Sequence, residues 1–331
     1  MARRKRKPPS LLQKENIIKG RVFELVLKKL IEKAGFNLNV STDQLVSYKK
    51  RRIRGRGSTY DLDFIGEFPI IIPFSYPSLL IGEAKYWKKA LDLKEAREFL
   101  GAFTDISQYP RIDTSSRLPK YSQIFLNKRY SYVPVIFSKS GFHRNAQALL
   151  WTHGIYFISY ENSTIFQEII PRIERFLKKI NYEMLDRDEM KKLTSLEAFK
   201  QLKNTAKKND FDSALDSLLQ VLEPIKSYLG ILDRLWPIHF LYKGKRELRP
   251  SLKTRESSFI IKENQVIVKR TTHKNSTNLG FFTLPKFFFQ EYKKIAEKYG
   301  KRIFRELILY IPVEGKVFPY YIKLKERSKN E

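Results

Sequence analysis

The chain has 331 residues with 64 Lys+Arg against 35 Asp+Glu, a formal net charge of +29, and no cysteine. Disulfides, cysteine-based zinc sites and thiol nucleophiles are thereby excluded. A cationic field of this size attracts polyanions, so nucleic acid is the expected partner, ahead of an anionic membrane. No apolar run reaches the ~18 residues needed to span a bilayer. The basic start Arg3-Arg4-Lys5-Arg6-Lys7 lacks the apolar stretch of a secretory signal. A cytoplasmic protein without membrane association is expected.

Residues 1–12 read as a disordered basic arm. Asn16 to Ala34 follows as a helix, with Ile18, Val22, Leu25, Val26 and Leu30 near helical period and Gly35 as its stop signal. Phe36 to Val46 alternates like a strand. Lys49, Lys50, Arg51, Arg52, Arg54 and Arg56 make a basic loop, expected to contact phosphates. Tyr60 to Ile65 reads as one strand and Leu79 to Ala84 as a buried strand. Between them lies the proline-rich stretch from Pro69 to Pro77.

Helices are expected over 93–109, 141–153 and 166–180, and strands over 132–137 and 155–160. Strands separated by helices argue an α/β class. Residues 181–232 are expected as a helical connector. Beyond it, 233–331 reads as a C-terminal α+β domain for nucleic-acid or partner binding. Its strands are expected over 238–242, 259–272 and 307–324, with a helix over 287–299.

Glu83-Ala84-Lys85 carries the candidate chemistry. On a strand, residues i and i+2 share a face, so Glu83 and Lys85 project together. Phosphodiester hydrolysis needs a positioned water and neutralisation of developing charge. Carboxylates holding Mg²⁺ supply the second, and a lysine beside them orients the water. The same Glu-x-Lys spacing recurs at Glu189/Lys191, Glu291/Lys293 and Glu314/Lys316. The first two fall in helical patterns, where i and i+2 diverge. The third has no aspartate strand before it. Only Glu83/Lys85 follows an acidic strand, Tyr60-Asp61-Leu62-Asp63-Phe64-Ile65. The bland alternative for Glu83 and Lys85 is an ordinary ion pair at a sheet end.

An Asp on one strand followed by Glu-x-Lys on the next resembles the PD-(D/E)xK nuclease superfamily. The stretches Gly20-Arg21-Val22-Phe23-Glu24, Ile81-Gly82-Glu83-Ala84-Lys85-Tyr86-Trp87, Phe99-Leu100-Gly101 and Phe137-Ser138-Lys139-Ser140-Gly141-Phe142 are similar, in that order, to the restriction endonuclease-like group typified by Mrr. Archaeal Holliday junction resolvases are the secondary likeness. The resemblance spans residues 14–160. It implies a mixed sheet flanked by helices over 13–180 and a Mg²⁺-dependent endonuclease acting on DNA, with Mn²⁺ able to substitute. It implies catalytic roles for Asp63, Glu83 and Lys85, and metal ligation by Glu24, Asp63 and Glu83. Asp61 is the competing ligand, because alternation puts both aspartates on one strand face. A non-catalytic nucleic-acid-binding or assembly protein with the same fold, and an RNA-directed nuclease, stand as alternatives. A homodimer or another protein partner is left open.

Overall fold

The computed structural model describes residues 9–40, 44–47, 52–68, 76–109, 130–186, 189–190, 193, 195–202, 210–233, 236–243, 248, 257–262, 265–271, 276–284, 286–298, 306–313 and 316–324. Among them are seven α-helices and 14 strands, an α/β architecture of mixed sheets flanked by helices.

Helix α1, Leu11–Lys33, starts earlier than its apolar period indicates. Ser10 caps it: the side chain accepts from the Gln13 backbone N–H while the Gln13 side chain accepts from the Ser10 N–H. This capping box shortens the expected arm, whose residues 1–8 lie outside the described set. Among the described residues of the expected strand over 36–46 are a bridge between Asn37 and Glu67 and the start of β1, Leu45–Ser47. β1 pairs with β2, Arg52–Arg54, which pairs with β3, Thr59–Asp61, in a small antiparallel sheet. Part of the expected basic loop is therefore a strand.

The strand expected over 60–65 breaks at Leu62-Asp63. β3 ends in the small sheet, and β4, Phe64–Phe68, opens a different one. That sheet has the order β4-β5-β6-β7, with β5 at Ser78–Lys85, β6 at Ser131–Ser138 and β7 at Tyr156–Ser159. β4 runs antiparallel to β5, while β5, β6 and β7 are parallel. Parallel neighbours need long connections. Here they contain α2, Leu93–Ser107, and α3, Arg144–Thr152.

Both faces of this sheet are covered, which explains the near-continuous apolar run of β5. Leu80 and Ala84 join Val22, Val26 and Leu30 of α1 in one core. Leu79 and Ile81 face the other way, with Ile106 of α2. Gly82 pairs with Phe64, and a Cβ on Gly82 would lie 1.8 Å from the Phe64 ring. The absent side chain is what admits the fully buried phenyl group.

Helices α4 (Thr164–Leu177), α5 (Leu196–Gln201) and α6 (Asp210–Leu222) follow. Phe166, Phe176, Phe199 and Leu218 bury in the same core as α1, so this segment packs onto the first unit. The expected connector also ends too late. Residues 225–232 form β8 (Ile225–Leu232), part of a seven-stranded sheet ordered β12-β11-β10-β14-β13-β8-β9.

The other strands are β9 (Trp236–Lys243), β10 (Ser257–Lys262), β11 (Gln265–Thr271), β12 (Ser276–Thr283), β13 (Glu306–Val313) and β14 (Lys316–Leu324). The segments expected as single strands over 259–272 and 307–324 are each a hairpin. α7, Lys286–Lys298, precedes β13. All pairings are antiparallel except β10 with β14. The end strands β12 and β9 approach each other, with Phe240 and Phe282 edge-to-face at 6.3 Å, so the sheet curls around its own core.

His239 of β9 joins the two units. Its Nδ1 is hydrogen-bonded to the Tyr160 hydroxyl at 2.5 Å and its Nε2 to the Ser227 hydroxyl at 2.7 Å. Burial lowers its pKa to about 3, so the imidazole is neutral. No described helix is long and apolar enough to cross a membrane.

Candidate active site

Three elements meet at the end of β5. Helix α1 contributes Arg21, Glu24 and Lys28, which the helical repeat places on one face. Glu24 is 5% exposed. Arg21 Nη1 donates to both its carboxylate oxygens, at 3.0 and 2.8 Å. Lys28 Nζ lies 3.7 Å from Glu24 Oε2. Burial pushes the Glu24 carboxyl well above the usual range, and Asp63 adds to the rise; Arg21 opposes both. For Arg21, burial works downward but is outweighed by Glu24, Asp63 and Asp61, leaving the guanidinium raised.

Asp63 stands in the break between β3 and β4. Its Oδ2 accepts from the Ala84 backbone N–H at 2.8 Å, and its Oδ1 lies 3.9 Å from Arg21 Nη1. The aspartate is thus fixed to the strand that carries Glu83 and Lys85. Strand alternation turns those two side chains together, away from the α1 face, and Lys85 Nζ lies 2.8 Å from Glu83 Oε2. Glu95, in the first turn of α2, comes within 3.9 Å of Lys85 Nζ.

Burial raises the Glu83 pKa; Asp63 and Glu95 raise it further, against Lys85. Burial works to lower the Lys85 ammonium, but Glu83, Asp63 and Glu95 outweigh it and push it up. Asp63 is thus felt on both sides, by Glu24 and Arg21 of α1 and by Glu83 and Lys85 of β5. Clustered carboxylates favour added positive charge.

Among the described residues, no group of three or more His, Asp or Glu is arranged to hold a metal ion. The donor set nevertheless has the chemistry of a hard-cation site. Mg²⁺ takes oxygen ligands and is commonly bound through one or two carboxylates plus substrate phosphates. Asp63 and Glu83 fit that pair. Glu24, the third expected ligand, is paired with Arg21 and Lys28 and lies beside Asp63.

Asp61 is separated from Asp63 rather than sharing its face. It is exposed at the edge of the small sheet, and both its oxygens accept from Arg52, at 2.7 and 2.9 Å. Of the other basic residues, Arg54 and Arg56 are exposed, and Lys49, Lys50 and Arg51 lie outside the described residues. The turn after Arg54 wraps Asp105 of α2, whose carboxylate accepts from the Gly57 and Ser58 N–H groups.

Arg21, Lys28 and Glu95 escaped the sequence reading. Arg21 and Lys28 were findable from their i,i+3 and i,i+4 spacing about Glu24. Glu95 was findable from its place three residues after Asp92, whose side chain caps α2.

Neither the protein-family models nor the curated proteins include a match to this chain. Among solved structures it resembles a crystal structure of a protein of unknown function, AF1548, at a TM-score of 0.31 and 15% identity, over 62% of this chain and 95% of that one. A likeness that low carries no argument about activity, so the functional reading rests on the site itself.

Proposed function

We propose that the chain is a Mg²⁺-dependent nuclease of the PD-(D/E)xK type that hydrolyses DNA phosphodiesters at the end of β5. The observation that carries this reading is the 2.8 Å hydrogen bond from the Ala84 N–H to Asp63, which holds an aspartate against the strand bearing Glu83 and Lys85. An antiparallel strand followed by three parallel ones supports it, being the mixed sheet that the resemblance implies.

In this reading Asp63 and Glu83 hold the cation by their carboxylate oxygens, with Mn²⁺ able to replace Mg²⁺. The cation, when bound, supplies Lewis acidity and lowers the pKa of a water. Lys85 stays protonated because of its acidic neighbours, so it donates to the attacking water or to a phosphoryl oxygen. Glu95 and Glu83 orient its ammonium. The net charge of +29 draws the polyanion in.

The test is incubation of the whole chain with plasmid, branched and single-stranded DNA and with RNA, with and without Mg²⁺. Cleavage should need the metal and fall by about 100-fold or more in Lys85→Ala and Asp63→Ala. Cleavage indifferent to both substitutions ends the assignment, and cleavage confined to RNA moves it to an RNA-directed nuclease.

A second reading is a nucleic-acid-binding protein that keeps the fold without turnover. The ion pairs that Arg21 and Lys28 make with Glu24 favour it, since fixed cations already neutralise one expected ligand. Salt-sensitive binding with no cleavage of any substrate would select it.

A further inference from the structure

Immediately after Lys85 the chain leaves the sheet as Tyr86-Trp87-Lys88-Lys89, at the carboxyl ends of the parallel strands. Tyr86 turns inward and packs on Phe23, with ring centroids 5.3 Å apart. Trp87 turns outward and is 38% exposed. The other two tryptophans, Trp151 and Trp236, pack on each other at 4.7 Å. Trp87 is held in place, not trailing: the Ser140 hydroxyl donates to its carbonyl, and the Lys139 N–H donates to the Lys85 carbonyl at 3.0 Å. Lys85 Nζ lies 5.6 Å from the Trp87 ring centroid, so the indole borders the candidate site.

Further cations lie along the same exit, Lys88 and Lys89 next in the chain and Lys139 bonded through its backbone N–H to Lys85. Lys139 Nζ sits 4.5 Å from the Tyr86 ring centroid. Burial pushes the Lys139 ammonium down, and Lys88 and Lys19 add to the fall against Glu174. Lys88 and Lys19 are therefore close enough to be felt by Lys139. Lys19 is itself paired with Glu15 at 2.5 Å. A held, outward indole beside like charges suits a ligand with both a flat π face and a negative backbone. A duplex keeps its base faces stacked against one another, whereas an unpaired strand presents them.

Resting on the reading of the site as a phosphodiester site, we infer that Trp87 stacks an unpaired base, and that Lys88 and Lys139 hold its flanking phosphates. The protein then engages nucleic acid through a single-stranded stretch beside Lys85.

The test uses the full chain in chelator, so that binding is read without cleavage. A single-stranded oligothymidylate of about 16 nucleotides is titrated against the duplex of the same length. The readouts are tryptophan emission and the anisotropy of a labelled strand. The single strand should quench emission in the wild type. Trp87→Phe should lose that quenching yet bind within about threefold, and Trp87→Ala should bind about 10-fold more weakly, as loss of one stacked base implies. Lys139→Gln should weaken binding and lower the salt slope by about one.

Equal binding by wild type and Trp87→Ala, or stronger quenching by the duplex, overturns the inference. Cleavage is scored separately with Mg²⁺. Trp87-dependent binding without cleavage retires the catalytic reading and leaves the subsite. Lys85-dependent cleavage with Trp87-independent binding retires the subsite alone.

Discussion

Asp63 is tied to Ala84 by a 2.8 Å hydrogen bond from the backbone N–H to Oδ2, while Asp61, two residues earlier, is tied to Arg52 in another sheet. This separates two aspartates that strand alternation alone would place side by side. Asp63→Ala should therefore cut metal-dependent cleavage by about 100-fold or more, whereas Asp61→Ala should leave it within about threefold. Initial rates on one DNA substrate decide it. Equal losses would mean that Asp61 reaches the site.

Glu24 and Arg21 give a stability prediction. Arg21→Met leaves a carboxylate that is 5% exposed with Lys28 as its remaining cation within ion-pair range, and should cost about 2 kcal/mol. Glu24→Gln in the same chain should recover most of that. The pH dependence has a definite sign. A carboxyl whose pKa is raised on folding binds more protons in the native state. Its stabilising contribution is full below the ordinary value of 4.5 and is lost as pH climbs through the raised one. Wild type should therefore lose stability relative to Glu24→Gln as pH rises from 4.5, read as the gap between urea midpoints. A gap that does not change with pH would contradict this.

Much of this site is legible in the sequence. A period of two is enough to place Glu83 and Lys85 on one face of β5, and the apolar residues before them mark a strand covered on both sides. The break at Leu62-Asp63 was not legible. Alternation continues unbroken through Tyr60, Leu62 and Phe64, and nothing in it signals that the chain changes sheets. Nor was the strand order of the C-terminal sheet. Alternating residues identify a strand's faces but not its neighbours, so the parallel contact of β10 with β14 has no local signature. Ile225–Leu232 follows directly on a helical pattern, and Ser227 and Gly230 fall where apolar residues would have marked β8.

Gly82 and Phe64 make a steric pair. Gly82→Ala places a Cβ 1.8 Å from a phenyl ring that has no free space, and should cost about 3 kcal/mol by forcing the ring or the strand aside. Phe64→Leu removes the obstructing atoms, so the double variant should be less destabilised than the sum of the two single ones. Denaturant unfolding of the four proteins measures it, and simple additivity would show that the two residues do not share the space.

His239 provides a second pH window of opposite sign. Its pKa falls from 6.5 to about 3 on folding, so the unfolded chain binds the extra proton between those values. The stabilisation is complete above pH 6.5 and declines as pH falls, by about 1.4 kcal/mol per unit. His239→Gln removes this dependence. Between pH 6.5 and 5 the wild type should lose about 2 kcal/mol relative to the variant. An unchanged difference would mean that the imidazole titrates as freely folded as unfolded.

The placement of β13 governs when the C-terminal sheet can exist. Leu307 pairs with Leu232 on one side and Ile322 on the other, so an interior strand is made only after β8 to β12. The four-stranded sheet, by contrast, has all its strands once residue 159 is made. Pairings between distant residues are slow to form because loop closure precedes their reward. The two units therefore mature in sequence, and throughout that interval one edge of β8 waits open, a template for stray strands until β13 arrives to seal it.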